Sequence, residues 1–163
     1  MRILDFITAA LALPLSALLL ATLRLFGLRF NMERTLTVGK DARLFWRRRL
    51  VFRDGAFKGL ANRLRLDHAP DLADLALGRL ALVGPRPMAP LEPHAVASYR
   101  VAVRPGLISP FAVGAPDFVA GEGEDTVDFV YSARKTGRRD LEILIRAIQK
   151  SMLPPSLTVR SAQ

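Results

Sequence analysis

Residues 66–87 read LDHAPDLADLALGRLALVGPRP, and this stretch combines a helix start, an apolar stripe and a rigid basic turn. Asp67 is a residue type that caps helices, and Pro70 is tolerated in a first helical turn. Gly78 is placed to end a helix. The sequence therefore predicts a helix from Asp67 to about Gly78, with an apolar stripe formed by Leu72, Leu75 and Ala76.

Three carboxylates of this predicted helix share a second face, because Asp67, Asp71 and Asp74 follow the spacing i, i+4, i+7. Such a face is costly without a cation nearby. For Asp71 and Asp74 an exposed polar face and a metal-binding role both stay open.

The end of the stretch predicts a short buried strand from Leu80 to Val83 and then a stiff turn, Gly84-Pro85-Arg86-Pro87. The turn presents the guanidinium of Arg86, whose planar donors suit a phosphate group. An anion and a metal ion are therefore both expected near this segment.

Together with Tyr99 and Arg104-Pro105-Gly106, the stretch resembles the bacterial sugar transferases, the monotopic polyprenyl-phosphate phosphoglycosyl transferases. Members of that family carry an Asp-Glu pair, then Leu-Pro-Gln, an Asn, a Gly and Leu-Val-Gly-Pro-Arg-Pro. Leu82 to Pro87 matches the last of these runs, and the spacing from Asp67 is kept without a gap. The family's Glu, Gln and Asn are replaced by His68, Asp71 and Asp74.

The resemblance implies a reaction at a membrane surface. A sugar phosphate would pass from a nucleotide diphosphate sugar to a polyprenyl phosphate, as the first membrane step of exopolysaccharide or related glycan assembly. Asp67 would be the covalent nucleophile, with His68 beside it in the catalytic pair, and Mg²⁺ would be the cofactor, since it prefers hard oxygen ligands.

His68 leaves three outcomes open, because an imidazole lacks the charge and hardness of the carboxylate that it replaces. Asp71 or Asp74 could supply the missing metal ligand, or a softer ion such as Mn²⁺ could bind with His68. In the third outcome the site is inactive. The protein would then be a membrane-bound module that binds lipid phosphate, nucleotide sugar or a partner transferase.

Several basic residues are candidates for binding the phosphates of the substrates. They are Arg86, Arg53, Lys40, Arg63 and Arg104. Other positions depart from the family pattern: Val51 replaces a Lys, Asn62 replaces an Arg next to Arg63, and Ile108-Ser109 replaces Thr-Gly.

Composition indicates a basic protein with much apolar surface, because 163 residues carry a net charge of +9 and half of them are hydrophobic. Nine basic residues and only two acidic ones lie between Gly39 and Leu66, interleaved with aromatic residues. A membrane with anionic lipids fits this combination. Nucleic acid is the rival partner for so basic a chain, but it is not expected, since the chain has no Cys, only two His and no nucleic-acid-binding motif.

The N-terminal segment contains 18 uncharged residues, from Phe6 to Leu23, about 27 Å as a helix. A signal peptide is disfavoured by Asp5 before it and Arg24 after it. A membrane-spanning helix and a re-entrant helix are the remaining alternatives. The re-entrant form is favoured, because Pro14 interrupts the helical hydrogen bonds and Ser16 can satisfy a freed carbonyl. The family, too, has a re-entrant helix broken at a Pro.

We therefore predict an α/β fold, mainly helical with short strands, in a small monotopic membrane domain with amphipathic interfacial helices. Residues 1–30 form the re-entrant helix and interfacial segment, residues 31–153 the sugar transferase-like domain and residues 154–163 a loose tail. Residues 114–123 are predicted to be a solvated acidic loop, residues 127–134 a helical turn or two, and residues 139–152 an amphipathic helix. The expected location is the cytoplasmic leaflet of the bacterial inner membrane, as a monomer or as a homo- or hetero-oligomer.

Overall fold

A computed structural model describes residues 2–53, 57–114 and 123–152. The chain starts with the long helix α1 (Arg2–Leu25) and continues into an antiparallel hairpin of β1 (Phe30–Val38) and β2 (Leu44–Phe52). The later elements are α2 (Lys58–Arg63), α3 (Asp71–Ala76), β3 (Ala81–Val83), α4 (Ser98–Val101), β4 (Gly106–Ile108), α5 (Pro110–Val113), α6 (Glu124–Ala133) and α7 (Gly137–Met152). The predicted α/β class, mostly helical with short strands, is confirmed.

The described strands form two separate two-stranded sheets. In the hairpin, Phe30 pairs with Phe52 and Val38 with Leu44, over nine residues of each strand. In the second sheet β3 and β4 run parallel, with Val83 opposite Ile108. The short strand after the central helix is therefore confirmed, whereas the long hairpin was not predicted.

Helix α1 lies along the rest of the domain and contacts it near both ends. Near its N-terminus, the buried Asp5 carboxylate accepts a hydrogen bond of 3.1 Å from the backbone N–H of Leu82 in β3. Near its C-terminus, Leu23 packs in a buried cluster with Leu50 and Phe52 of β2. The opposite face exposes large apolar side chains, which are Ile3, Phe6, Ile7, Leu11, Leu15, Leu18 and Leu25.

Pro14 does not divide the helix, because the helical assignment continues from Arg2 to Leu25 across it. The Ser16 hydroxyl donates a hydrogen bond of 2.9 Å to the carbonyl of Leu13. The carbonyl that Pro14 leaves without its helical partner is that of Ala10, four residues before the proline, so the role predicted for Ser16 is not confirmed. The segment Asp5–Leu25 is the one described helix that is long and apolar enough to cross a membrane. A re-entrant shape is not confirmed.

The helix predicted from Asp67 to Gly78 is shorter than expected. Asp67 lies in a separate 3₁₀ turn, Leu66–His68, and α3 begins only at Asp71 after Pro70 in the N-cap position. The prediction that Asp67 caps the helix is therefore wrong. Gly78 follows the helix with a φ of 70°, a left-handed conformation that favours glycine, so the predicted end is confirmed.

The turn from Gly84 to Pro87 is fixed by close contact with the Arg104-Pro105-Gly106 segment. The N–H of Gly106 donates to the carbonyl of Pro85 over 2.8 Å, and the N–H of Gly84 donates to the carbonyl of Ile108 over 3.1 Å. A Cβ on either Gly84 or Gly106 would collide with the backbone of the other segment. Glycine is needed at both positions because two backbones pass each other here.

The C-terminal helices close the core under β3. Tyr131 of α6 and Ile143 of α7 are fully buried and pack with Val83. The helix predicted for residues 139–152 is confirmed as α7, but its apolar residues Leu141, Ile145 and Ile148 are about half exposed. The helix predicted for residues 127–134 is α6. Most of the predicted acidic loop and all of the predicted tail lie outside the described residues.

Candidate active site

Asp67 and His68 lie against two arginines from the hairpin. Arg49 of β2 donates to Oδ2 of Asp67 from Nη2 over 2.8 Å and from Nε over 3.2 Å. The Nε2 atom of His68 lies 3.3 Å from the same carboxylate oxygen. The 3₁₀ turn brings these adjacent side chains to the strand, so a carboxylate, an imidazole and a guanidinium meet at one point.

Asp71 holds the other side of the histidine ring. Its Oδ2 lies 2.9 Å from Nδ1 of His68, within hydrogen-bonding distance. The ring is thereby oriented with Nε2 toward Asp67. Asp71 therefore positions the imidazole that stands beside the predicted nucleophile.

Arg47 neutralises Asp71 through a bidentate pair. Its Nε and Nη2 atoms lie 2.7 and 2.5 Å from the two carboxylate oxygens of Asp71, which is almost completely buried. Burial alone would raise the pKa of Asp71, but the hydrogen bonds from Arg47 and His68 hold that pKa below its ordinary value. Arg47 and Arg49 are two residues apart in β2, so they share one face of the strand. We call Arg47, Arg49, Asp67, His68 and Asp71 the Asp67 cluster.

Asp74 belongs to a different ion pair. Its carboxylate is buried and accepts a hydrogen bond of 3.1 Å from Arg79, just beyond α3. The interpretation of Asp71 and Asp74 as an exposed polar face is therefore wrong. Each of the three carboxylates has an arginine partner in this structure: Asp67 pairs with Arg49, Asp71 with Arg47 and Asp74 with Arg79.

The carboxylates of Asp71 and Asp74 are already occupied by arginines, which bears on whether they can bind a metal ion. Mg²⁺ needs several oxygen ligands in near-octahedral geometry, but both oxygens of Asp71 are engaged by Arg47 and the Asp74 carboxylate is paired with Arg79. Within the described ranges, no group of three or more His, Cys, Asp or Glu side chains could hold a metal ion. Asp71 and Asp74 do not fit as ligands, and Mg²⁺ or Mn²⁺ binding stays a prediction.

Arg86 lies in a second ionic cluster. Its guanidinium is 2.9 Å from Glu124 of α6 and 3.2 Å from Glu92, and its side chain is about half exposed. Beside it, the buried Arg100 pairs with Asp128 over 2.7 Å and with Asp125 over 2.9 Å. Burial raises the pKa of Asp128 to about 6, although Arg100 opposes this shift. Arg100 was not among the residues predicted from the sequence.

The remaining predicted phosphate-binding residues are dispersed. Arg104 reaches across to helix α1, where its Nη2 lies 3.5 Å from Asp5. Lys40 is exposed in the turn between β1 and β2, Arg63 is exposed at the end of α2, and Arg53 follows β2. Of the predicted site residues, the structure brings Asp67, His68 and Asp71 together, whereas Asp74, Arg86 and Arg104 lie in separate ion pairs.

Arg47 and Arg49 are functional candidates that sequence reasoning did not single out. Both stood among the nine basic residues between Gly39 and Leu66, and nothing in their immediate sequence distinguishes them from their neighbours. The available signal was the surplus of carboxylates after Leu66, which required cations from elsewhere in the chain.

The sequence was compared with models of known protein families. A model of the bacterial sugar transferase family matches residues 34–153, most of the chain. The protein therefore belongs to the bacterial sugar transferase family, as its sequence suggested, and this membership indicates a role of the phosphoglycosyl transferase type. The matched range includes the Asp67 cluster, the Gly84–Pro87 turn and α7. No curated protein matches the sequence.

Proposed function

We propose that this protein is a phosphoglycosyl transferase that transfers a sugar phosphate from a nucleotide diphosphate sugar to a polyprenyl phosphate, with Asp67 as the covalent nucleophile. The observation that carries the proposal is the position of Asp67. Its carboxylate is partly accessible and lies between Arg49 and His68, at a point where phosphate oxygens would meet positive charge. Family membership supplies the reaction type.

The reaction consists of two displacements at one phosphorus atom. In the first, a carboxylate oxygen of Asp67 attacks the phosphorus that bears the sugar. The bond to the nucleoside monophosphate breaks, and that group leaves with the electron pair. In the second, an oxygen of the lipid phosphate attacks the same phosphorus, so Asp67 is released and a lipid diphosphate sugar forms. Both nucleophiles are anions, so neither step needs a base to remove a proton from the nucleophile.

What the reaction does need is positive charge around the transferring phosphoryl group. Arg49 contacts the Asp67 carboxylate directly, and its exposed guanidinium can shift to the incoming phosphate oxygens. Arg47 is committed to Asp71, and that pair holds the His68 ring in place. In this proposal Arg49 and His68 touch the substrate, whereas Arg47 and Asp71 are positioning residues.

Because the acceptor is a lipid, the reaction takes place at a membrane surface. In this proposal α1 is the segment that contacts the membrane. The helix is about 36 Å long by its rise, longer than the roughly 30 Å hydrocarbon core of a bilayer. Asp5 near one end and Leu23 near the other both contact the same domain, so a helix crossing the bilayer would carry the domain into it. We infer that α1 stays on one side, with its exposed apolar face in the lipid of the cytoplasmic leaflet.

The proposal is tested by incubating the purified protein with labelled nucleotide diphosphate sugars, with and without undecaprenyl phosphate. We expect a labelled protein with the donor alone and a labelled lipid when the acceptor is added. Absence of both products across the donor panel would contradict the proposal and favour a binding module. In that case the protein should still bind lipid phosphate or nucleotide sugar, and Asp67→Asn should leave binding intact or make it tighter, because it removes a negative charge near phosphate.

A further inference from the structure

An apolar groove runs between α1 and the transferase domain and reaches the Asp67 cluster. Its volume is about 460 Å³, within the roughly 300–1,000 Å³ of pockets that hold small organic ligands. The walls include Ala12 and Leu19 of α1, Leu72 of α3 and Leu107 of β4, and the polar residues at the groove include Arg65 and His68. We call this space the α1 groove.

Small side chains keep the α1 groove open. Ala12 and Ser16 lie one helical turn apart on α1, and Ala69 lines the groove from the segment before α3. Larger side chains at these positions would fill the space with the protein's own atoms. The groove therefore depends on small residues at these positions.

One end of the groove favours an anion. His68 lines the groove and also stands 3.3 Å from the Asp67 carboxylate, and Arg65 adds an exposed guanidinium close by in the chain. The groove also opens onto the exposed face of α1, because Leu15 lines the groove and is two-thirds exposed. An occupant with an anionic head and an apolar chain could lie in the groove and continue into lipid without crossing water.

We propose that the α1 groove holds the head-proximal part of the prenyl chain of the acceptor, with the acceptor phosphate beside His68 and Arg65. This inference rests on the proposed function, since it assigns the lipid substrate of that reaction to a place. The nucleotide sugar is not the occupant, because it has no apolar chain to cover Leu72 and Leu107. The groove fits only the first part of a long prenyl chain, and the remainder would lie along the exposed face of α1.

The test separates the two half-reactions in a pair of matched variants. Ala12→Trp fills the groove, whereas Ala17→Trp places the same side chain on an exposed position of the same helix. With the donor alone, both variants should form the labelled protein as the wild type does. With subsaturating undecaprenyl phosphate, Ala12→Trp should lose its label at least tenfold more slowly, and Ala17→Trp should match the wild type. Discharge of Ala12→Trp at the wild-type rate would overturn the proposal.

A second variant guards against misfolding, since Ala69→Leu adds less volume to the opposite wall and should also slow discharge. If the wild type forms no labelled protein, that result contradicts the proposed function and does not test the groove. A binding measurement tests the groove in that case. Farnesyl phosphate carrying a diazirine should cross-link to the peptides that contain Ala12 and Leu72. The cross-link should persist in Ala17→Trp and disappear in Ala12→Trp. Competition by phosphatidic acid as strong as by unlabelled farnesyl phosphate would overturn the assignment to a prenyl chain, since the groove would then be a general lipid site.

Discussion

Replacing Arg47 by Met should destabilise the protein far more than the same substitution at Arg49. Arg47 is 20% exposed and its partner Asp71 is 1% exposed, so the substitution strands a buried carboxylate. Breaking a buried ion pair by removing one partner costs about 3–5 kcal/mol. For a chain of this size that corresponds to a fall of at least about 6 °C in the midpoint of thermal unfolding.

Arg49→Met is the matched control, because Arg49 lies on the same face of the same strand but is 55% exposed. Exposed ion pairs contribute at most about 1 kcal/mol, or less than about 4 °C. Thermal unfolding of both variants in the same detergent, followed by circular dichroism, measures the difference. Arg47→Met with Asp71→Leu should recover much of the lost stability, because an apolar pair leaves no stranded charge. Equal midpoints for the two single variants would refute the assignment of Asp71 to a buried pair with Arg47.

Three further results are expected. Arg86→Lys should weaken binding of the nucleotide diphosphate sugar by about tenfold in titration calorimetry, since an ammonium lacks the guanidinium fork and loses about one charged hydrogen bond. Equal affinity of the two proteins would mean that Arg86 does not bind the phosphate and only forms its ion pairs with Glu92 and Glu124. Because the pKa of Asp128 is raised to about 6 in the folded protein, its contribution to stability is present near pH 4 and is lost as the pH rises through about 6. Asp128→Asn should remove that part of the slope of unfolding free energy against pH, and an unchanged slope would contradict the raised pKa. His68→Glu should keep or increase transfer with Mg²⁺, since it adds a hard anionic ligand beside Asp67. Transfer by His68→Glu that stays below that of the wild type at every Mg²⁺ concentration would argue against this.

Local patterns in the sequence predicted the elements whose determinants are close together in the chain. The strand after Leu80, the stop at Gly78 and helix α7 follow from short runs of residue types, and the structure has all three. The cap at Asp67 failed although it too was a local prediction. The 3₁₀ turn ends before Pro70, and the proline itself takes the position before α3.

The environment of the carboxylates could not be predicted in the same way, because it depends on contacts between distant residues. Arg47 precedes Asp71 by 24 residues, and the two meet only when the register of the hairpin brings β2 against the turn at Asp67. Asp5 similarly finds its partner 77 residues later in the backbone of Leu82. The sequence indicated that the acidic face needed a cation, but it did not reveal that arginines of the same chain would supply it.

Contacts between distant residues also explain why the predictions for α7 and α1 were only partly confirmed. The spacing of apolar residues in α7 predicts a helix, but the fully buried residue is Ile143, and Leu141, Ile145 and Ile148 are left about half exposed. For α1, the apolar run predicted a membrane helix and Pro14 a break. The structure shows an undivided helix with one face against the domain, which a one-dimensional pattern does not contain.

The central claim is that Asp67 carries the sugar phosphate during transfer, and intact-protein mass spectrometry measures this directly. The wild type and Asp67→Asn are each incubated with a panel of nucleotide diphosphate sugars in the absence of acceptor. We predict that the wild type gains the mass of one sugar phosphate, that fragmentation locates it on Asp67, and that added undecaprenyl phosphate removes it. Asp67→Asn should gain no mass and form no lipid product, and transfer that survives Asp67→Asn would contradict the account.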